Sequence, residues 1–328
     1  MNTERKYANW ALIAVAMLLF GTAIATVQFK VPVVMGDIMT NMNMDPGSAS
    51  WLMSIFTFVG IILALPTGAL AKKFGPKTML LAAAVVVAIG SLVGAFAGNG
   101  TVLIVSRGIE GVAFIFVTIC GPLAVQKYVA PEKIGSATGI WALWVCLGSV
   151  VGGVLTPTLY GATGFVGVWV IYAALCVIFA VIVAVIVKFP GGEVQEAPAA
   201  EAEAAAEEKV SYGELFKPNT LLFYVAFLVF NMTLMAVLGF SPTFMQQQGV
   251  DPTLSGFIST LPMLLAVISS PLFGSLSDKM GRCKPLYLIA LVVMGPCSFL
   301  LLTQTGPLMW VGAIVMGLVG LGGPGMCL

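Results

Sequence analysis

"GALAKKFGPK" (Gly68–Lys77) and "GSLSDKMGRCK" (from Gly274) decide the fold, because they are two copies of one loop. Each copy closes a long apolar run. Each sets glycines around basic residues: Gly68, Lys72, Lys73 and Gly75 in the first, Gly274, Asp278, Lys279, Gly281 and Arg282 in the second. Upstream, "MDPGSAS" begins at Met44 and "VDPTLSG" at Val250, and both pairs of segments are offset by 206 residues. Asp45-Pro46 and Asp251-Pro252 each read as a helix N-cap followed by proline in the first turn. From each aspartate to the first motif glycine is 23 residues. A helix of that length covers about 34 Å, one bilayer. The basic residues pin one end of each helix. Gly68 and Gly274 are expected at a close helix approach, and Gly75 and Gly281 at turns with positive φ.

Composition sets the class. Of 328 residues 59% are hydrophobic and 9% charged, against roughly 25% charged in a soluble domain, and mean hydropathy is +1.03. This is a polytopic membrane chain. Net charge is +1 and no basic stripe stands outside the apolar runs, so nucleic acid is not an expected partner. Histidine is absent, which removes the usual proton shuttle and the commonest metal ligand. The six cysteines show no close pair, hence no disulfide framework or zinc spacing. No metal and no other cofactor is expected. Arg5, Lys6 and the apolar run with Ala23-Ile24-Ala25 superficially resemble a secretory leader, but the run continues past Ala25 as the first span.

Ten apolar segments are long enough to cross a bilayer: about 8–36, 47–71, 77–97, 102–126, 134–160, 165–188, 219–245, 252–276, 285–303 and 307–328. Of the fifteen basic residues, thirteen fall in alternate loops, and only Lys30 and Arg107 lie inside spans. The positive-inside rule then places the N-terminus in the cytoplasm. Residues 190–217 are acidic and alanine-rich and read as a tether. The expected architecture is all-α: an N-terminal bundle of six helices over 1–189, a linker over 190–217 and a four-helix C-terminal bundle over 218–328. Parallel repeats of this kind underlie secondary transporters that rock two bundles about a midplane site.

The duplicated loop resembles the signature of the major facilitator superfamily, G-x-L-(A/S)-D-(R/K)-x-G-(R/K). Gly274, Leu276, Ser277, Asp278, Lys279, Gly281 and Arg282 match it; the first copy matches at Gly68, Leu70, Ala71, Lys73 and Gly75. Lys72 stands where the family has aspartate, and Pro76 where it has a basic residue. In the family the loop aspartate helps latch the two bundles, so Lys72 implies a weaker latch in the first half. "RGIEGVA" resembles the family's R-x-x-x-G-x-G pattern at Arg107 and Gly111, with Ala113 in place of the last glycine. "GSVVGG" (Gly148, Gly152 and Gly153) resembles the G-P-x-x-G-G run of proton-coupled antiporters, with Ser149 in place of proline. The resemblance implies twelve spans where this chain offers ten, and hence a chain lacking the last two.

Charges at membrane depth cost roughly 2.5–3.5 kcal/mol each on insertion scales, so they mark function. Arg107 and Glu110, three apart in the fourth span, share one helical face. Glu110 reads as a proton acceptor with Arg107 as modulator or anion contact, or the two form a structural ion pair. Thr22, Thr26 and Lys30 recur at four-residue spacing along the first span. That stripe is expected to face a water-filled cavity, with Lys30 as a cation in the binding site; the alternative is Lys30 reaching the outer headgroups. Asn231 in the seventh span is a candidate substrate contact. Trp141 and Trp144 line the cavity or pack between helices. Gln246, Gln247 and Gln248 are expected at the outer surface, and Pro32, Pro66, Pro242 and Pro262 at bends.

The function expected is a monomeric secondary transporter of the cytoplasmic membrane, working by alternating access on a small solute. Lys30 and Arg107 favour an anion, and protons are the expected coupling ion. Drug or metabolite efflux by proton antiport is an alternative, and so is a non-transporting sensor or remnant. An intramembrane enzyme is disfavoured by a single intramembrane carboxylate and no histidine, and an ATP-driven pump by the lack of a phosphate-binding loop.

Overall fold

The computed structural model describes residues 9–187, 218–280, 284–304 and 306–321. The linker, Gly281 and Arg282 of the second loop, Cys283 and Cys327 lie outside the described residues. The same is true of the Asp278 side chain and of the surroundings of Gly274.

Every described regular element is helical: α1 (Trp10–Phe29), α2 (Met35–Asn41), α3 (Pro46–Phe74), α4 (Pro76–Ala95), α5 (Gly100–Tyr128), α6 (Ile134–Trp141), α7 (Trp144–Ile186), α8 (Pro218–Gln247), α9 (Pro252–Met280), α10 (Lys284–Thr303) and α11 (Pro307–Val315). Eight stretches are long and apolar enough to cross a membrane, and Pro307–Gly320 is a shorter apolar helix. One of the eight, Pro131–Ile186, has 56 residues. At 1.5 Å per residue it is about 84 Å long, more than twice a bilayer core. It is broken inside α7 at Gly164, where φ is 67° and ψ −172°. No other residue type adopts that backbone without strain, so the chain turns there and crosses again.

The helix ends follow the sequence signals. Asp45 caps α3, its side chain accepting from the Ser48 N–H at 3.0 Å with Pro46 in the first turn. Asp251 caps α9 in the same way, accepting from Thr253 and Leu254. Lys72 and Lys73 lie in the last turn of α3, which stops at Gly75 with φ 81°. The glycine forecast at that turn is therefore required by its backbone. Gly68 is not at a close approach: a Cβ built there meets nothing within 4 Å. Pro66, Pro242 and Pro262 sit within continuous helices. Pro32, by contrast, lies in the short turn of helix Pro32–Val34 that separates α1 from α2.

Buried apolar side chains form two clusters, one drawn from residues 13–187 and one mainly from residues 230–321. The two sequence halves meet at their lysine-free ends. Thr243 Oγ1 donates to the Pro32 carbonyl at 3.3 Å, and Gln246 Nε2 to the Val33 carbonyl at 2.9 Å and to Ser255 Oγ at 3.1 Å. Gly153 of α7 meets Gly256 of α9 backbone to backbone: a Cβ on Gly153 would stand 2.8 Å from the Gly256 carbonyl oxygen.

A buried charge cluster as candidate functional site

Three charges at membrane depth converge on one point. Lys30 ends α1, and Arg107 and Glu110 lie one helical turn apart on α5. Lys30 Nζ lies 2.7 Å from Glu110 Oε1, and Arg107 Nη1 lies 2.5 Å from Glu110 Oε2. Ser91 of α4 adds a third donor, its hydroxyl 2.5 Å from Oε1. None of the three charged residues is more than 1% exposed. Two cations face one carboxylate, so the buried cluster carries a net positive charge.

Arg107 is held by more than its carboxylate. Nη2 donates to the Gln28 carbonyl at 3.0 Å, Nη1 to that of Val27 at 2.7 Å, and Nε to that of Leu52 at 3.0 Å. The Gln28 carbonyl would pair with the amide four residues on, but residue 32 is proline and has none. Arg107 thus satisfies carbonyls orphaned by the end of α1, while its guanidinium lies 4.1 Å from the centre of the Phe56 ring. It works as a clamp on α1 and α3 as well as an ion-pair partner.

Lys30 does not reach toward headgroups. It is fully buried, with Nζ 4.2 Å from the centre of the Trp169 ring. The polar stripe of α1 faces protein and not an open cavity. Thr26 is 2% exposed, and its hydroxyl donates to the Thr22 carbonyl at 2.8 Å and to the Gly148 carbonyl at 3.3 Å. Here the glycine run has its physical role. A Cβ on Gly148 would stand 2.8 Å from the Thr22 carbonyl and 2.9 Å from the Thr26 nitrogen, and one on Gly152 2.9 Å from Phe29 Cβ. Small residues let α7 seat against α1 and hold Lys30 in register with Glu110. Trp144 is buried and stacks on Trp141, their ring centres 5.2 Å apart; both are packing residues.

Asn231 lies apart from this cluster. It is half-buried, donates to the Phe227 carbonyl at 2.9 Å, and lines an apolar cavity of about 760 Å³ between α3 and α8 together with Met53, Thr57, Phe58 and Met235. Two polar residues escaped the sequence reading. Ser91 is one serine in an apolar span, with no periodic partner to mark it. Gln246 was forecast at the surface with Gln247 and Gln248; those two are exposed, but Gln246 is half-buried and joins the two halves.

Comparison with known proteins agrees with this arrangement of helices. The family model described as Major Facilitator Superfamily matches residues 11–328. The galactose-proton symporter of Escherichia coli K12 is 32% identical over 172 residues, which cover 51% of this chain and 36% of the symporter. The chain therefore spans about a third of that relative. The protein named "Probable nitrate transporter NarT" of Staphylococcus haemolyticus is 25% identical over 279 residues, 82% of this chain and 69% of its own. Among solved structures, a bacterial homologue of the human lysosomal transporter Spinster, inward-facing and occupied, superposes with a TM-score of 0.72 at 18% identity, covering 95% of this chain and 73% of that one. The D-xylose-proton symporter superposes with a TM-score of 0.64 at 15% identity, covering 96% and 80%. With the family model running through nearly all of its spans, the chain belongs to the major facilitator superfamily.

Proposed function

We propose that the protein is a proton-coupled secondary transporter of a small anion, with coupling at the buried Lys30–Glu110 pair. The observation that carries this reading is the surplus positive charge of a cluster sealed from solvent, Lys30 and Arg107 against Glu110. An unbalanced charge at that depth is costly, and an anionic cargo offsets it. The similarity over 82% of the chain to the protein named "Probable nitrate transporter NarT" points the same way. The sugar-proton symporters among the relatives support a second reading, symport of a neutral sugar.

Alternating access would use two bundles, 1–189 and 218–328, tethered by the acidic linker 190–217, with the N-terminus in the cytoplasm of a cell bounded by this membrane and the chain acting as a monomer. The contacts of Thr243 and Gln246 with the turn at Pro32–Val34 then close the outer side. Arg107 keeps α1, α3 and α5 together while the pair it flanks changes state.

Purified protein in proteoliposomes, given radiolabelled nitrate or galactose and an imposed pH gradient, tests this. Accumulation of nitrate above equilibrium is expected, and its loss in Glu110→Gln with nitrate exchange retained. Galactose accumulation in place of nitrate would select the sugar reading. Accumulation undiminished in Glu110→Gln would remove the pair from coupling.

A further inference from the structure

We infer that Lys30, and not Glu110, is the group that carries the transported proton. The inference rests on the reading that this pair couples protons, and it assigns the proton to one atom, Lys30 Nζ.

The first argument is donor geometry. Both oxygens of Glu110 are taken: Oε1 accepts from Lys30 and Ser91, and Oε2 from Arg107. A proton added to Oε1 must displace one of these donors, and one added to the remaining lone pair of Oε2 would leave the buried Lys30 and Arg107 charges without their counter-charge. Arg107 is fixed by three backbone carbonyls and stays charged under all physiological conditions. Lys30 has one short bond, to Glu110, a longer one of 3.4 Å to Ser91 Oγ, and the Trp169 ring. The network tolerates loss of its proton. One N–H bond breaks, the electron pair stays on Nζ, and the proton passes to a water molecule when the site opens. The neutral amine still donates to Glu110, and its new lone pair accepts the Ser91 hydroxyl once that rotates. The cluster then balances, one arginine against one carboxylate. The groups facing Nζ from every packed element are Glu110 and Arg107 on α5, Ser91 on α4, and Trp169 and Cys176 on α7. Among the described residues no second carboxylate faces it.

The second argument is position in the fold. Glu110, Arg107 and Ser91 lie inside the continuous helices α4 and α5. Lys30 is the C-cap of α1, one residue from the turn whose carbonyls, on Pro32 and Val33, hold Thr243 and Gln246 of the other half. An opening that pulls this turn away bears on Lys30 first, because Lys30 lies between the turn and the Val27 and Gln28 carbonyls that Arg107 holds. The member of the cluster next to the contacts between the two halves is therefore also the one that can release a proton without dismantling the rest.

Two measurements decide the matter. In proteoliposomes with nitrate and galactose as probes, Lys30→Arg keeps a permanent charge. It should lose accumulation under a pH gradient by tenfold or more, and whatever probe exchange it retains should no longer vary with pH. Lys30→Arg that accumulates like the parent overturns the inference. Independently of any probe, and of whether Lys30 variants fold, the parent protein labelled with 15Nζ-lysine is titrated by NMR in detergent. Ser91→Ala, which keeps both ion pairs, identifies the Lys30 resonance by shifting it. The resonance should change from ammonium to amine across the pH range of transport. An ammonium throughout, with the Glu110 carboxyl titrating instead, overturns the inference. If the amine titrates but neither probe accumulates in the parent, the proton assignment stands and the transport reading falls.

Discussion

Replacing Gly148 by alanine should break the registration between α1 and α7. The added Cβ would stand 2.8 Å from the Thr22 carbonyl oxygen and 2.9 Å from the Thr26 nitrogen, with Ala25 Cβ closer still. Ordinary contact begins near 3.4 Å, so the helices must part by at least about 0.6 Å. The obstructing atoms are backbone and an alanine Cβ, which have no rotamer to change. Overpacking of this kind costs about 1–3 kcal/mol. Alanine is also the better helix former by about 1 kcal/mol, so a control must carry the same gain without the clash. Gly139 in α6 is such a site, with nothing within 4 Å of its virtual Cβ. Gly152→Ala should fall between them, since its nearest neighbour stands at 2.9 Å. The assay is reversible unfolding by SDS titration in mixed micelles. Gly148→Ala should be less stable than Gly139→Ala by about 1–3 kcal/mol, and should also weaken uptake, because Lys30 follows Thr26 by one turn of α1. Stabilities of the two variants within about 0.5 kcal/mol of each other would refute the close approach.

Three further outcomes follow from other contacts. Arg107→Gln leaves the Gln28 carbonyl without its donor and Glu110 with one cation fewer, so the loss should reach about 3–5 kcal/mol, read by the same SDS titration. Gln246→Leu removes the bonds to Val33 and Ser255; a cysteine introduced at Gln247 should then react faster with a membrane-impermeant maleimide added outside, and an unchanged rate would count against a closing role. Asp45 is an exposed N-cap whose carboxyl is held below its ordinary value by the Ser48 hydroxyl and N–H. Its support of α3 is therefore complete above the unfolded carboxyl value and is lost as pH falls through the lower folded one. Amide exchange at Ser48, measured by hydrogen–deuterium mass spectrometry, should gain a protonation-linked acceleration in that acidic window, absent in Asp45→Asn once intrinsic exchange is subtracted.

Much of this molecule was legible in the chain itself. Low charge and long apolar runs fixed an all-α membrane protein, since a bilayer leaves no other way to satisfy a spanning backbone of this composition. The duplicated Asp-Pro starts and the glycine at 75 were readable because caps and positive-φ turns are local: their partners lie within four residues. The Arg107–Glu110 pair was readable for the same reason, being one helical turn apart. Tertiary structure alone decided what Lys30 does, because its partner Glu110 is 80 positions away and Ser91 is 61. It also decided that Arg107 caps the orphaned carbonyls of α1, that Gly148 seats one helix on another while Gly68 touches nothing, and that Gln246 alone of its triplet joins the two halves. Helical periodicity tells which residues share a face. Which face meets which depends on how the helices pack, and only that packing put two cations and one carboxylate in the same sealed place.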